Sequence, residues 1–285
     1  MRWRRCRPGD PSDTSDRSDK SDLSDLSDEE AHIFLDLIKR NNRRVADEFA
    51  GSRRYFSQWT TNLALYREIE AVAPKRLRGR VLDAGAGRCA WHVLLKKCTE
   101  HIETLDHEPV DGKIDHVGDI QAMPLADNTY DGVFCTQVLH HVPEPQAALN
   151  EIARVLKPGG VALISAPHLS WLHNEPHDYQ RFTEHGLRRM IGKAGLEEIE
   201  IRAAGGLVAF LGVIPSTVLL GLLRPVTPLF YLALPFNAAF VWLCLLLDRA
   251  CGAKRLYPVN YVVVARKPGG AEGGQSGRGG QEAAA

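Results

Sequence analysis

From residue 80 onward the chain alternates short apolar runs with amphipathic stretches. The apolar runs, bounded by turn formers, predict strands at 80–83, 102–106, 114–117, 130–135 and 161–166. Helical spacing fills several of the gaps, at 90–98 and 146–156, and Lys157-Pro158-Gly159-Gly160 has the turn chemistry to stop the second helix. Residues 183–194 read as an amphipathic helix with Leu187, Met190 and Ile191 inward. Strands follow around 197–202 and 257–267, the latter carrying the apolar run Val262-Val263-Val264. Strands interleaved with helices predict an α/β, Rossmann-like doubly wound parallel sheet of about seven strands, with ligands at the carboxyl ends of the strands.

Two helical patterns precede this core. Ser27 with Glu30 has capping-box spacing, and Ile33, Phe34, Leu37 and Ile38 make one apolar face. A second pattern over 60–72 carries Leu63, Tyr66, Ile69 and Val72 at spacing three. Between them lie Arg43-Arg44 and Arg53-Arg54-Tyr55-Phe56. These read as a solvated face with packing aromatics, the alternative being a lid or an anion-binding edge over a cleft. Before residue 28 the chain repeats Ser-Asp every three residues, and so polar a segment cannot offset its ordering entropy. The expected organisation is a disordered tail at 1–28, N-terminal helices or a lid at 29–78, and a core at 79–204 plus 256–267. A hydrophobic helical insert at 205–255 and a second flexible tail at 268–285 complete it.

The insert interrupts the core pattern before its last strand. Two apolar runs, 207–223 and 229–247, flank Arg224-Pro225-Val226-Thr227-Pro228. Each is near the lower length for spanning a bilayer. If the strands on either side share one sheet, both ends of the insert lie on one side of any membrane. Two full crossings would carry Arg224 across, against the positive-inside tendency. A shallow hairpin in one leaflet is the expected arrangement, with a soluble cap or a homodimer interface as the alternatives.

Charge narrows the partners. Lys and Arg number 35, as do Asp and Glu, so no global field favours nucleic acid. The six cysteines include no Cys-x-x-Cys pair, which speaks against a zinc knuckle or disulfide framework and for a reducing, cytoplasmic setting. The basic start Met1–Arg7 is followed by no apolar segment of the kind a secretory signal needs.

The chemistry gathers around residues 81–91. A strand end, Val81-Leu82-Asp83, runs into Gly85-x-Gly87, where two residues without side chains let the backbone turn tightly and approach a ligand. Gly85-x-Gly87-x-x-Ala90 fits a dinucleotide fingerprint, so an NAD-dependent oxidoreductase is one reading. Asp83, two residues before the first glycine, suits a loop that holds a cationic methyl donor. Asp106 closes the second strand, where a carboxylate accepts ribose hydroxyls in either reading. Gly118-Asp119-Ile120 after the third strand suits an adenine clamp, Asp119 accepting from the exocyclic amine and Ile120 packing on the ring.

These pieces continue with 123–131, Gln137-Val138-Leu139-His140-His141-Val142 and Arg154-Val155-Leu156-Lys157-Pro158-Gly159-Gly160. In this order and spacing, the run from Val81 to Pro167 resembles the class I S-adenosylmethionine-dependent methyltransferases of the type 11 group. Cys89 stands where that family often has a third glycine, which predicts a slightly altered loop. The resemblance implies S-adenosylmethionine as cofactor, held by Asp83, Gly85, Gly87, Asp106, Asp119 and Ile120, with Gln137 beside it.

Methyl transfer asks mainly for in-line positioning, plus a base where the acceptor must lose a proton. Acceptor residues are expected after the fourth and fifth strands, and the segment 166–183 there is rich in histidine. His168 and His177 are candidate bases, and Tyr179 and Arg181 candidate acceptor-positioning groups. Hydrogen-bonding roles are preferred over a metal site at His168, His173 and His177, and His140-His141 are equally explained by packing or capping. The expected activity is methyl transfer to a small-molecule or lipid-linked acceptor at the cytoplasmic face of a membrane. An NAD-dependent oxidoreductase and a non-catalytic, cofactor-binding scaffold are the alternatives.

Overall fold

The computed structural model describes residues 21–109 and 113–269. Its strands in chain order are β1 (Arg80–Ala84), β2 (His101–Asp106), β3 (His116–Val117), β4 (Tyr130–Thr136), β5 (Leu156–Pro167), β6 (Glu197–Ala204) and β7 (Asn260–Arg266). They form one seven-stranded sheet in the order β3-β2-β1-β4-β5-β7-β6. The pairs from β3 to β5 are parallel, whereas β7 runs antiparallel to both β5 and β6. The sheet is therefore mixed rather than wholly parallel. Ala204 at the end of β6 stands opposite Asn260 at the start of β7, so the insert leaves and re-enters at one end of the sheet. The returning strand has no direction open to it but the reverse.

Successive residues of a strand face opposite sides, and the core divides accordingly. Leu82, Val133, Ile164 and Val263 pack with helices α5 (Pro145–Val155) and α6 (Glu184–Lys193). Their neighbours Val81, Phe134, Leu163, Val262 and Val264 pack on the other face with Leu65, Tyr66 and Ile69 of α3 (Thr60–Arg76). Such continuous apolar runs are what a sheet covered on both faces requires. Thr183 caps α6, its hydroxyl accepting from the Gly186 amide at 3.1 Å.

Three local expectations need correction. Within the described residues helix α1 spans Ser21–Phe49, so it includes the end of the Ser-Asp repeat and continues past Arg43-Arg44. Residues 1–20 and 270–285, the rest of the two expected tails, lie outside the described residues. Second, Ile33, Phe34 and Leu37 are exposed while Ile38 is buried, because the packed face of α1 continues through Val45 and Phe49 instead. Third, the helix after the glycine loop, α4 (His92–Leu95), has 4 residues. Cys89 adopts φ 54° and residues 87–91 are turns, so the loop does not open directly onto a helix N-terminus.

The insert forms the helices α7 (Leu207–Leu223) and α8 (Thr227–Cys251). They lie against α1 and α3. Gly212 meets Thr60 and Cys244 so closely that an added Cβ would stand 2.8 Å from the Cys244 sulfur. Gly221 meets Ile38 of α1, while the Asn41 and Asn42 side-chain amides donate to the carbonyls of Gly221 and Thr217, each at 2.9 Å. The turn between the helices is tied to α1, where Glu48 pairs with Arg224 at 2.6 Å and accepts from the Tyr231 hydroxyl. At the other end the buried Asp248 carboxylate accepts from the Gly206 and Val208 amides at 2.7 and 3.1 Å, capping α7 from a neighbouring helix.

The hairpin keeps one face uncovered. On α8 the exposed side chains include Leu229, Leu232, Phe236, Phe240, Leu243 and Leu247, spaced three or four apart on one helical face. Leu211, Ile214 and Leu222 continue the exposed apolar surface on α7. By length and composition α8 could cross a bilayer, whereas α7 is shorter.

Candidate active site

The carboxyl ends of β1, β2 and β4 open on a cavity of about 1030 Å³. Gly85, φ 81°, turns the chain out of β1, and its amide donates to the Leu105 carbonyl at 2.7 Å. A Cβ added there would stand 2.3 Å from a Val138 methyl, so the bend and the contact both demand glycine. Gly87, φ 49°, has open space where its Cβ would be. Its amide donates to Asp106 Oδ2 at 2.7 Å, so the carboxylate at the end of β2 shapes the loop as well as lining the cavity.

Asp83 is placed differently from the expectation. It is buried and does not line the cavity, with His92 Nε2 3.3 Å from its Oδ2 behind the loop. Neither of those atoms makes a directional hydrogen bond, and burial raises the carboxyl pKa. The Asp83 carboxylate therefore meets His92 of α4 rather than the cavity. Asp119 lines the cavity, exposed, and accepts from the Gln121 amide at 2.8 Å, while Ile120 lies beside it between cavity and core. Gln137 lines the wall at φ 56°, with its side-chain amide on Ser165 Oγ at 3.1 Å and Asn260 Oδ1 at 3.2 Å. That contact joins β4 to β5 and β7.

The N-terminal helices reach the same place. Arg43 of α1 lines the cavity, and Arg88 of the glycine loop pairs with Asp47 of α1. Phe56 packs at a tilt against Trp91 with centroids 4.4 Å apart, and Tyr66 lies nearly parallel to the same indole at 5.9 Å. The aromatics pack as expected, and α1 also forms one edge of the cavity. The alternative reading of Arg43-Arg44 as an edge of the cleft thus applies to Arg43, although nothing local in the sequence distinguishes it from Arg44.

The opposite wall comes from the loop between β5 and α6. His177 and Tyr179 line the cavity, and His177 Nδ1 is 3.0 Å from the Tyr179 hydroxyl. His168 and Arg181 do not line it. His168 Nδ1 is 2.9 Å from the Phe182 carbonyl, and its ring meets Tyr261 edge-on. Arg181 is turned into its own loop, donating to both oxygens of Asp178 at 2.5 and 2.8 Å and to the Trp171 carbonyl at 3.0 Å. This fork holds Asp178 well below the usual carboxylate range, against the effect of burial. Charge alone had suggested a substrate contact for Arg181; a carboxylate three residues earlier in the chain claimed it instead.

Three further histidines close this side. His140 is fully buried in a short 3-10 turn (Leu139–His141), and its ring nitrogen is 3.2 Å from that of His173. His141 lines the cavity and donates through Nδ1 to the His177 carbonyl at 2.6 Å. Burial first, then the neighbouring His141 and His173, push the His140 pKa down to about 3, and burial also lowers that of His141. The His140 ring is therefore neutral at physiological pH, and the shift at His141 favours its neutral form as well.

The methyltransferase domain family model matches residues 82–164, from the middle of β1 into β5. This chain carries a class I S-adenosylmethionine-dependent methyltransferase domain. The chain is 35% identical over 97 residues to the ubiquinone biosynthesis O-methyltransferase of Idiomarina loihiensis, covering 27% of this chain and 40% of that protein. It is 35% identical over 96 residues to the demethylmenaquinone methyltransferase of Halalkalibacterium halodurans, covering 28% and 39%. The chain thus spans well under two thirds of either relative. A methyltransferase structure from Archaeoglobus fulgidus shares the domain's fold at TM-score 0.51 and 15% identity, over 79% of this chain and 99% of that one. The [4+2]-cyclase SpnF does so at 0.50 and 20%, over 71% and 81%. A fold shared by a methyltransferase and a cyclase does not choose the reaction.

The residues fit the donor the family uses. Gly85 and Gly87 leave the backbone open to the cavity, Asp106 closes β2 at its rim, and Asp119 with Ile120 forms the next stretch of wall. These groups would hold the nucleoside, with Gln137 at the far side. Bound there, S-adenosylmethionine supplies an activated methyl on a sulfonium. The chain's own part is to orient donor and acceptor and keep water out.

Proposed function

We propose that the protein transfers a methyl group from S-adenosylmethionine to an oxygen of an apolar, lipid-linked small molecule drawn from a membrane surface. The observation that carries the proposal is a single cavity with the donor loop on one wall and His177 and Tyr179 on the other, in a chain whose helical hairpin exposes an apolar face. The names of the two curated relatives, which refer to ubiquinone and demethylmenaquinone, support this acceptor class. His177 is the candidate base because it reaches the cavity, with Tyr179 holding its Nδ1; His168 has no such access. The hairpin turn is tied to Glu48, so membrane contact uses the flat apolar side of α7 and α8 rather than a projecting tip. Contact from the cytoplasmic face agrees with cysteines that are all free among the described residues.

The test combines calorimetry with the demethylated cofactor product and transfer of labelled methyl to hydroxylated isoprenoid quinones in liposomes. Binding followed by liposome-dependent labelling is the expected result. Binding without labelling of any lipid acceptor would point to a cofactor-binding scaffold, and failure to bind would end the reading.

A further inference from the structure

We propose that His140, His141 and His173 form a binding site for a divalent transition metal ion of the zinc class in the cavity wall. One ring nitrogen of each lies within 4.8 Å of the others. His140 Nε2 and His173 Nε2 are 3.2 Å apart, close to the roughly 3.3 Å between two ligands of a tetrahedral zinc with Zn–N bonds of about 2.0–2.1 Å. Ring orientation supports the assignment. The Nδ1 of His173 is 3.0 Å from the Trp171 carbonyl, and that of His141 is 2.6 Å from the His177 carbonyl. A carbonyl can only accept, so each ring carries its proton on Nδ1 and leaves Nε2 unprotonated, that of His173 facing His140 and that of His141 3.5 Å from the Asn174 side-chain amide. This is the outer-shell pattern by which proteins orient metal-binding histidines. His140 Nδ1 has no partner, and the ring is fully buried, so only the facing histidine engages its other nitrogen.

The surrounding loop is built to hold this arrangement. Arg181 donates to the same Trp171 carbonyl that receives His173, and Asp178 receives the His173 backbone amide at 2.9 Å. Tyr179 donates its amide to the His140 carbonyl at 2.8 Å, fastening the loop to the turn that carries the other two rings. The inward Arg181–Asp178 pair thus gains a purpose as the outer support of a three-histidine centre. Three imidazoles suit zinc, copper, nickel or iron rather than magnesium or calcium. Since His141 borders the cavity, a fourth position is left on that side for water or another oxygen ligand.

Untagged full-length protein, stripped with chelator, is titrated with Zn²⁺ and separately with Co²⁺. One equivalent should bind, Co²⁺ should develop the visible absorption of a four-coordinate site, and added azide should alter that spectrum. Zn²⁺ should raise the melting temperature of the wild-type protein. His141→Gln and His173→Gln, both at half-buried rings, should each weaken binding by more than about tenfold and abolish the melting shift while remaining folded by circular dichroism. Absence of stoichiometric binding in the wild-type protein overturns the site, with no variant needed. Unchanged affinity in both folded variants does so too, and indifference to azide overturns the open position. None of these readings uses the methyl donor, so their failure leaves the methyl-transfer proposal standing.

Discussion

At Gly85 a backbone angle and a neighbour coincide: φ is 81°, and a Cβ would lie 2.3 Å from Val138. Gly85→Ala must both enter the left-handed region and displace Val138. The expected cost is about 2–4 kcal/mol of stability in denaturant titrations, with loss of product binding by calorimetry. Gly87→Ala meets no atom and should cost only about 1–2 kcal/mol. Cys89 shows the same demand met by a different residue. It takes φ 54° without being glycine, so the altered loop expected from the sequence keeps a left-handed turn at that position. A side chain's partner, by contrast, is hard to read from its type. Arg181 and His168 had the chemistry for the acceptor and turned elsewhere, whereas His177 and Tyr179, from the same segment, did reach the cavity.

Among the elements, α7 depends on a cap that no local motif contains. Its first amides are met by Asp248, which lies 42 residues after Gly206. Asp248→Ala leaves buried amides unpaired and should lower stability by about 2 kcal/mol, read as a drop in melting temperature. Asp248→Asn keeps an acceptor oxygen and should lose less. Strand β2 carries a second such dependence. Glu103 receives Arg80 Nε at 2.5 Å, His116 at 2.9 Å and the Tyr130 hydroxyl at 2.8 Å. Led by the Arg80 hydrogen bond and opposed by burial, these partners hold its carboxyl at about 2. A depressed carboxylate pKa contributes stability above the unfolded value, near 4.5, and loses it as pH falls toward 2. With Arg80 half-exposed, the loss should be about 2 kcal/mol between pH 5 and pH 2. Glu103→Gln should flatten that acid limb in pH-dependent denaturation.

For the molecule as a whole, the hairpin separates stability from location. Leu232, Phe236 and Leu243 are exposed, so replacing all three with Ser should change the melting temperature little. The same replacement removes apolar area from the proposed membrane face and should release the protein from sedimenting liposomes. A variant that still sediments fully would exclude this face as the point of contact. A dimer joined through it would instead become monomeric in sedimentation velocity.

The sequence by itself determined the layout and the donor side. Strand and helix periods are local, and a glycine loop, a strand-end carboxylate and Asp119, all of which line the cavity, sit at intervals that chain geometry sets directly. Both ends of the insert meeting at one edge was also legible, once its flanking strands were placed in one sheet. Only the tertiary structure decided which residues of 166–183 face the cavity, that Asp83 stands behind its loop and that Arg43 belongs to the rim. It alone brought His173 to His140 and His141. Those outcomes depend on competition among partners distant in the chain, where a buried charge takes the nearest counter-charge and a ring turns toward the nearest carbonyl. Spacing along the sequence records which groups are present but not which of them meet.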